Sequence, residues 1–229
     1  MSPLNSDILK INENIIEKID GENYVFYSDD RIDDSAVNDK LTETMPTEFL
    51  NSLTPNGLPP HKLILKKGAI VTCLRNLDIN GGLCNGTRMM IKDMKQYIIT
   101  VEIITGKHFG KIVLLPRIDL YPSLEEIPFH MIRRQFPIRL CFAMTINKAQ
   151  GQSFDKVGLY LCTPVFSHGQ LYVALSRTTS KDNLKIFMSN KSIYKNNNDI
   201  INNKHKKRKL DEENKIYTKN IVYSEIFQY

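Results

Sequence analysis

Three apolar runs alternate with two polar segments between residues 137 and 187, and this alternation limits the folds open to the chain. The runs IRLCFAM, KVGLYL and LKIFM have the continuous apolar character of strands that are covered on both faces. The polar segments predict two short helices, with Thr145 and Ser167 as N-caps and Gly151 after the first helix. Strands and helices that alternate with such short connections predict parallel strands joined by right-handed crossovers, which is an α/β fold.

A different pattern occupies residues 62–118, where five short apolar runs are separated by turn signals. The runs are LIL, AIVTCL, RMMI, YIITVEII and KIVLL, and the turns contain KKG, NLDINGG, KDMKQ and TGKHFG. Strands this short and this closely spaced predict a small antiparallel barrel or sheet of about 55–60 residues. Upstream, the isoleucine spacing in residues 4–19 predicts a helix, Tyr24–Tyr27 a short strand and the acidic residues 29–48 an irregular connector.

We therefore predict one discontinuous α/β domain from residues 1–60 and 136–190, interrupted by a small β-barrel module at residues 61–135. Residues 191–229 hold nine Lys/Arg, five Asp/Glu and many Asn, a composition that predicts a disordered basic tail. Because the tail contains KKRK at Lys206–Lys209, a nuclear location is expected, and otherwise a cytoplasmic one.

Composition and spacing disfavour several classes of protein. No apolar run approaches the ~20 residues of a membrane span, and the N-terminus MSPLNSDILK has no signal-peptide core, so neither a membrane protein nor a secreted one is expected. The net charge of +6 comes mostly from the tail, so it says little about the folded part. Four cysteines without CxxC spacing, and without a histidine at ligand distance, predict no metal site.

The segment TINKAQGQ gathers groups that can bind an anion. Its hydroxyl, amide and ammonium groups belong to Thr145, Asn147, Lys148, Gln150 and Gln152, beside Gly151. Donors that follow a buried strand suit a phosphate, either of a nucleotide or of a DNA backbone. The alternative is a solvent-exposed polar turn that Thr145 caps.

The segment SHGQLYVALSR predicts a helix with one apolar face and Arg177 at its end. A cation there is favourable against the helix dipole, which is one interpretation. The other is an arginine finger that reaches the γ-phosphate held by another domain of a split ATPase.

A basic stretch lies between Ile127 and Phe154, with four fixed positive charges and no acid. It contains Arg133, Arg134, Arg139 and Lys148, and Phe129 and Phe136 flank the arginine pair. Basic and aromatic residues together suit single-stranded nucleic acid, so Arg133 and Arg134 are candidate DNA-binding residues. A solvated basic face with buried phenylalanines is the alternative.

The 229 residues contain no GxxxxGK[ST] motif, which would supply a backbone nest and a lysine for the β- and γ-phosphates. They also contain no apolar strand that ends in paired acids for Mg²⁺. We therefore expect the chain not to hydrolyse ATP alone, and neither ATP nor Mg²⁺ to bind it tightly.

TINKAQGQS and FSHGQLYVALSR resemble the last two motifs of ATP-dependent DNA helicases of the Pif and RecD kind, and most closely the Helitron-transposon branch. The resemblance continues through LNSLTPNGLPPHKLILKKGAIV, PRIDL and RRQFPIRLCFAM and covers roughly residues 2–190. It implies the second RecA-like domain, an inserted SH3-like barrel, and 5′-to-3′ unwinding of DNA coupled to ATP hydrolysis, with Mg²⁺. The implied processes are DNA repair, recombination, telomere maintenance or transposon replication.

The resemblance also implies roles for individual residues. Arg177 would be the arginine finger, the one catalytic residue; Thr145, Gln150, Gly151, Gln170 and Ser176 would be nucleotide-linked; Thr145, Asn147, Lys148 and Gln152 would contact DNA. Asn147 stands where many relatives have histidine. Single-stranded DNA and a first RecA-like domain, from upstream sequence or a separate chain, are the expected partners. A non-catalytic DNA-binding or interaction protein built from a helicase half, and a remnant without present function, remain as alternatives.

Overall fold

The structure is a computed structural model, and it describes residues 1–33, 45–123, 126–127, 129–188 and 221. The chain divides into two compact units. We call them the α/β unit, built from residues 1–11 and from 143 onward, and the β-rich unit, Asn12–Phe142. The predicted tail at 191–229, with its KKRK sequence, lies outside the described residues except for residue 221.

Three α-helices and twelve strands occur in the described residues. The helices are α1 (Asn5–Lys18), α2 (Thr47–Ser52) and α3 (Gln170–Leu175), and short 3-10 helices cover Asn147–Ala149 and Lys181–Asn183. The strands are β1 (Tyr24–Tyr27), β2 (Asp29–Ile32), β3 (Lys62–Leu65), β4 (Ile70–Cys73), β5 (Arg88–Met94), β6 (Ile98–Ile103), β7 (Ile112–Pro116), β8 (Ile118–Leu120), β9 (Met131–Gln135), β10 (Ile138–Leu140), β11 (Val157–Tyr160) and β12 (Leu184–Phe187). No described helix has both the length and the apolar character that crossing a bilayer requires.

A five-stranded antiparallel sheet, in the order β10-β4-β5-β6-β7, forms most of the β-rich unit. Alternate residues of β5 and β6, such as Met89, Ile91, Ile99 and Val101, are buried in its core. The antiparallel region predicted for residues 62–118 is therefore present. In the described residues no pairing joins β7 to β10, so the sheet is open where a closed barrel was predicted.

The predicted strand IRLCFAM is the clearest correction to the expected α/β pattern. Its first residues form β10, which pairs antiparallel with β4, so that Ile138 lies opposite Cys73. An apolar run indicates burial on both faces but does not identify the neighbouring strand. The first part of the run therefore contributes to the five-stranded sheet, and its last residue, Met144, bonds to the start of the chain, where its carbonyl accepts from the Ser2 N–H at 3.3 Å.

Residues 29–48 also differ from expectation, because their first part is a strand and not an irregular connector. Strand β2 pairs with β9, and β8 completes a three-stranded antiparallel sheet. Strand β1 pairs with β3, so that Tyr24 lies opposite Leu65. These pairings connect residues 24–32 to strands after residue 60. The unit boundaries therefore lie near residues 11 and 142, not at the predicted 60 and 135.

Parallel strands do occur in the α/β unit, where β11 pairs with β12 and Val157 lies opposite Leu184. The first residues of the chain lie beside β11, because Tyr160 N–H donates to the Met1 carbonyl at 2.8 Å. Ser2 in turn forms a parallel bridge to Thr145. Ile146, Leu159, Leu161, Val165 and Ala174 form the buried core of this unit. The segment after Thr145 is thus fixed to the edge of a small parallel arrangement.

Candidate nucleic-acid interface

The turn formed by residues 145–152 begins with a 3-10 helix, Asn147–Ala149. Ile146 is its N-cap, and no side chain caps it. The Ala149 N–H donates to the Thr145 carbonyl at 3.2 Å, so Thr145 acts through its backbone and the predicted hydroxyl cap is wrong. Thr145 is only 8% exposed, whereas Asn147, Lys148 and Gln150 are exposed. Those three side chains are the surface that the turn offers to a ligand.

Gly151 reverses the chain direction after the 3-10 helix. Its φ of +76° lies in the left-handed region, which other residues adopt at a cost. No atom lies within 4 Å of the position that a Cβ would occupy, so the backbone angle and not crowding requires glycine. Next to it, the Gln152 side-chain amide donates to the Lys148 carbonyl at 3.1 Å, which closes the turn on itself.

Gln170 connects this turn to helix α3. Its Nε2 donates to Asn147 Oδ1 at 3.1 Å, and its Oε1 accepts from the Phe166 N–H at 3.0 Å. The residue is 2% exposed, and such a buried amide is stable only when its polar atoms are paired. The predicted nucleotide-linked residue Gln170 and the predicted DNA-binding residue Asn147 are therefore in direct contact.

Helix α3 is shorter than predicted. Gly169, with a φ of +69°, precedes its first residue, so the predicted N-cap Ser167 lies outside the helix. The Ser167 carbonyl accepts from the Gln170 N–H at 3.3 Å. The side chain of Arg177 follows the helix and folds back across its end.

The Arg177 guanidinium bonds to two segments of the α/β unit. Its Nη1 donates to the Gln152 carbonyl at 2.9 Å and to the Ala149 carbonyl at 3.4 Å. Its Nε donates to the Val173 carbonyl at 2.9 Å, and its Nη2 to Ser176 Oγ at 2.8 Å. The backbone of Arg177 adds a further connection, since its carbonyl accepts from the Phe154 N–H at 2.9 Å. Gln170 at the start of α3 and Arg177 just after its end therefore both bond to the turn.

A cleft of about 330 Å³ lies between the turn and α3. Amide, hydroxyl, imidazole and phenol groups dominate its lining, which consists of Asn147, Gln150, Ser167, His168, Gly169, Gln170, Tyr172 and Val173. Sequence reasoning missed Tyr172, which is 73% exposed. An aromatic residue near a predicted DNA-binding turn is the signal that could have identified it.

The cleft residues by themselves lack the groups that bind a nucleoside triphosphate with its Mg²⁺. The lining contains neither a lysine nor a carboxylate. In the part of the chain that the structure describes, no group of three or more His, Cys, Asp or Glu could hold a metal ion. The arrangement is suited to hydrogen-bonding and stacking contacts with a polar, flat ligand.

Arg133 belongs to the β-rich unit, and its prediction as a DNA-binding residue is wrong. It is 0% exposed, and its Nε and Nη2 bond to the two carboxylate oxygens of Asp30 at 2.9 and 2.6 Å. Its remaining donors reach the carbonyls of Leu50, Leu53 and Pro59. A guanidinium without exposed surface cannot contact a phosphate, so Arg133 stabilises the fold instead.

Arg134 points the other way, with 53% of its side chain exposed and an ion pair to Asp119 at 3.3 Å. Phe136 is 0% exposed and Phe129 is 9% exposed, so neither can stack on a base. Arg139 donates to the Leu58 carbonyl, and burial lowers its pKa from the usual value. The predicted basic and aromatic stretch thus leaves only Arg134 and Lys148 as exposed cations.

Comparison with known families identifies helicase sequence along most of the chain. The model for the 2B domain of DNA helicase Pif1 matches residues 48–94. A second model, that of the herpes helicase family, matches residues 86–223, which make up more than half of the chain.

Individual relatives agree with these family models. The ATP-dependent DNA helicase Pif1 of Campylobacter jejuni is 31% identical over 198 residues, which cover 82% of this chain and 41% of the relative. The ATP-dependent DNA helicase PIF1 of Xenopus laevis is 28% identical over 180 residues, which cover 79% of this chain and 26% of the relative. The chain therefore spans well under half the length of these relatives.

Solved structures with a similar fold are also Pif1 helicases. The crystal structure of Pif1 from Candida albicans matches with a TM-score of 0.61 and 26% identity, over 81% of this chain and 44% of that one. Pif1 from Bacteroides in complex with ADP-AlF3 and single-stranded DNA matches with a TM-score of 0.57 and 25% identity, over 81% and 39%. The shared fold is a mixed α/β arrangement.

Proposed function

This chain belongs to the Pif1 family of DNA helicases, and we propose that it is the DNA-contacting half of an ATP-dependent helicase motor. The turn Thr145–Gln152 is the proposed contact with single-stranded DNA. The main support for this proposal is that Gln170 and Arg177 fix the turn by hydrogen bonds, while Asn147, Lys148 and Gln150 remain exposed. A fixed turn with an ammonium and two amides can bond to successive phosphates without much ordering cost on binding.

In this proposal the α/β unit is the second RecA-like domain and the β-rich unit is its SH3-like insertion. The parallel pairing of β11 with β12, and of Ser2 with Thr145, supports the first assignment. The open antiparallel sheet, and the family model for the 2B domain, support the second. Unwinding in the 5′-to-3′ direction follows from the Pif-type motifs, and a nuclear location from the KKRK sequence.

ATP and Mg²⁺ are proposed as cofactors of a complete motor, not of this chain alone. The 229 residues contain no phosphate-binding GxxxxGK[ST] sequence, and the cleft lining contains no carboxylate for Mg²⁺. A first RecA-like domain, on preceding sequence or on a separate chain, would supply both. Arg177 is the proposed arginine finger toward that domain, with Gly151 and Ser176 near the nucleotide.

A non-catalytic single-strand-binding protein is the second candidate. The inward hydrogen bonds of Arg177 favour it, because in this arrangement the guanidinium contacts carbonyls of its own unit. Both candidates require DNA binding at the turn, and they differ in whether a partner domain restores ATP hydrolysis.

Binding of a fluorescently labelled single strand, followed by anisotropy, tests the proposed interface. Lys148→Gln should weaken binding and reduce the dependence of log K on log salt by ~0.7, the value for one phosphate contact in a single strand. The matched control is Lys185→Gln, an exposed lysine on β12, which should leave both quantities unchanged. Equal effects of the two substitutions would indicate nonspecific attraction and would exclude the turn as the interface.

A further inference from the structure

Arg177 has more bonds within its own unit than an arginine finger needs. A guanidinium carries five N–H donors. The donors of Arg177 form four hydrogen bonds, to Ala149, Gln152, Val173 and Ser176. Three of the acceptors are backbone carbonyls, and two of these carbonyls flank Gly151 in the exposed turn.

We propose that Arg177 is a positioning residue for DNA binding, whose guanidinium holds the turn in the shape that presents Lys148 and Gln150 to a single strand. The inference rests on the proposed function, because it assumes that this turn contacts DNA. It assigns to Arg177 a task that requires no nucleotide and no second domain.

Neutral donors also shape the turn, since the Gln152 side-chain amide bonds to the Lys148 carbonyl and the Gln170 side-chain amide to Asn147 Oδ1. Beyond the 3-10 helix, Gln152 N–H donates to the Ala149 carbonyl at 3.1 Å, and Phe154 N–H donates to the Arg177 carbonyl. Gly151 lies between Ala149 and Gln152, and glycine has the most conformational freedom of any residue type. Hydrogen bonds from a charged donor are roughly twice as strong as neutral ones, so the guanidinium is the strongest constraint on this segment.

Only arginine can make this set of contacts. Its planar fork reaches acceptors on the turn and on α3 at the same time, whereas a lysine ammonium is a single point. A guanidinium that moved to a phosphate would also leave the carbonyls of Ala149 and Gln152. Arg177 therefore cannot hold the turn and contact a phosphate at the same time.

Amide hydrogen exchange of the chain without DNA tests the structural part. In Arg177→Lys and Arg177→Gln, the amides of Gln152 and Phe154 should exchange at least about tenfold faster, as the loss of one charge-assisted hydrogen bond requires. Amides of β11, which lies in the same unit as Arg177, should keep their rates, which shows that this unit is folded in both variants. Lys181→Gln, an exposed position in the same unit, is the control. Unchanged rates at Gln152 and Phe154 in the two Arg177 variants would overturn the inference.

Single-strand affinity separates positioning from direct contact. Arg177→Gln should weaken binding about tenfold with an unchanged salt slope, because the strand must then order the turn as it binds, while Lys148 keeps its phosphate contact. A slope that falls as it does in Lys148→Gln would identify Arg177 as a phosphate ligand, and an unchanged affinity would leave it without a role in DNA binding; either result overturns the inference. In Arg177→Ala, methylguanidinium should restore affinity better than methylammonium at equal ionic strength.

The two kinds of failure can be told apart. If the wild-type chain does not bind single strands, the proposed function fails whatever the exchange rates are. If it binds them while Gln152 and Phe154 exchange at wild-type rates in the variants, only the role of Arg177 fails.

Discussion

Arg133 and Arg134 are neighbours in the sequence, but their guanidinium groups have opposite surroundings. Both lie on β9, where side chains alternate between the two faces of the sheet. Arg133 faces inward and forms two bonds to the buried carboxylate of Asp30, while Arg134 faces solvent. A buried, fully bonded ion pair contributes to the fold chiefly because removal of either partner leaves a charge without compensation.

Arg133→Met should therefore lower the free energy of unfolding by about 3–5 kcal/mol, since it leaves Asp30 buried and unpaired. Arg134→Gln breaks an exposed pair and should cost about 0–1 kcal/mol. Urea unfolding of the two variants measures both values. Equal losses would contradict the different surroundings of the two side chains.

The residue scale also shows how far sequence reasoning reaches into the site. The polar residues of TINKAQGQ could be located from their spacing, and Asn147, Lys148 and Gln150 are exposed as a binding turn requires. The bonds from Gln170 to Asn147 and from Arg177 to Gln152 could not be predicted. They join residues that are 23 and 25 positions apart, and only the fold determines such contacts.

At the scale of elements, the turn around Gly151 is the part of the candidate interface most sensitive to backbone conformation. Gly151→Ala places a Cβ on a residue with a φ of +76° and should cost about 1 kcal/mol in strain, relieved by a change in the turn. Single-strand affinity should fall accordingly in an anisotropy titration.

Gly158→Ala is the matched control for this prediction, because Gly158 lies on β11 with open space around its Cβ position and without a positive φ. Its affinity for single strands should equal that of the wild-type chain. Weaker binding by Gly158→Ala, or wild-type binding by Gly151→Ala, would show that the shape of the turn does not control DNA binding.

Elements with a strong local pattern could be predicted, and those defined by distant partners could not. The isoleucine spacing predicted helix α1, and β1 occupies the residues predicted for it. Strand β2 was missed because its sequence, DDRI, is acidic and lacks the apolar alternation of a strand. Its partner β9 supplies the arginine that neutralises Asp30, and this compensation is not visible within the segment itself.

At the scale of the whole molecule, the boundaries of the two units depend on strand pairing across long stretches of sequence. The sequence pattern assigns residues 12–60 to the α/β domain because they end in a Pro- and Gly-containing segment, Pro55–Pro60, which interrupts regular structure. The pairing of β1 with β3 and of β2 with β9 assigns them to the β-rich unit. The motifs, by contrast, indicated the Pif1 family correctly, because the chemistry of helicase motifs is concentrated in short contiguous segments.

We propose that these 229 residues provide the DNA-contacting half of a helicase motor, and they contain no phosphate-binding GxxxxGK[ST] sequence. The most direct test is one titration of a labelled single strand with the purified chain in the presence of Mg²⁺ and ATP, with phosphate release recorded in the same sample. We predict binding that weakens as salt is added, with phosphate release no faster than in buffer. Robust hydrolysis by the chain alone, or no single-strand binding even at low salt, would contradict the claim.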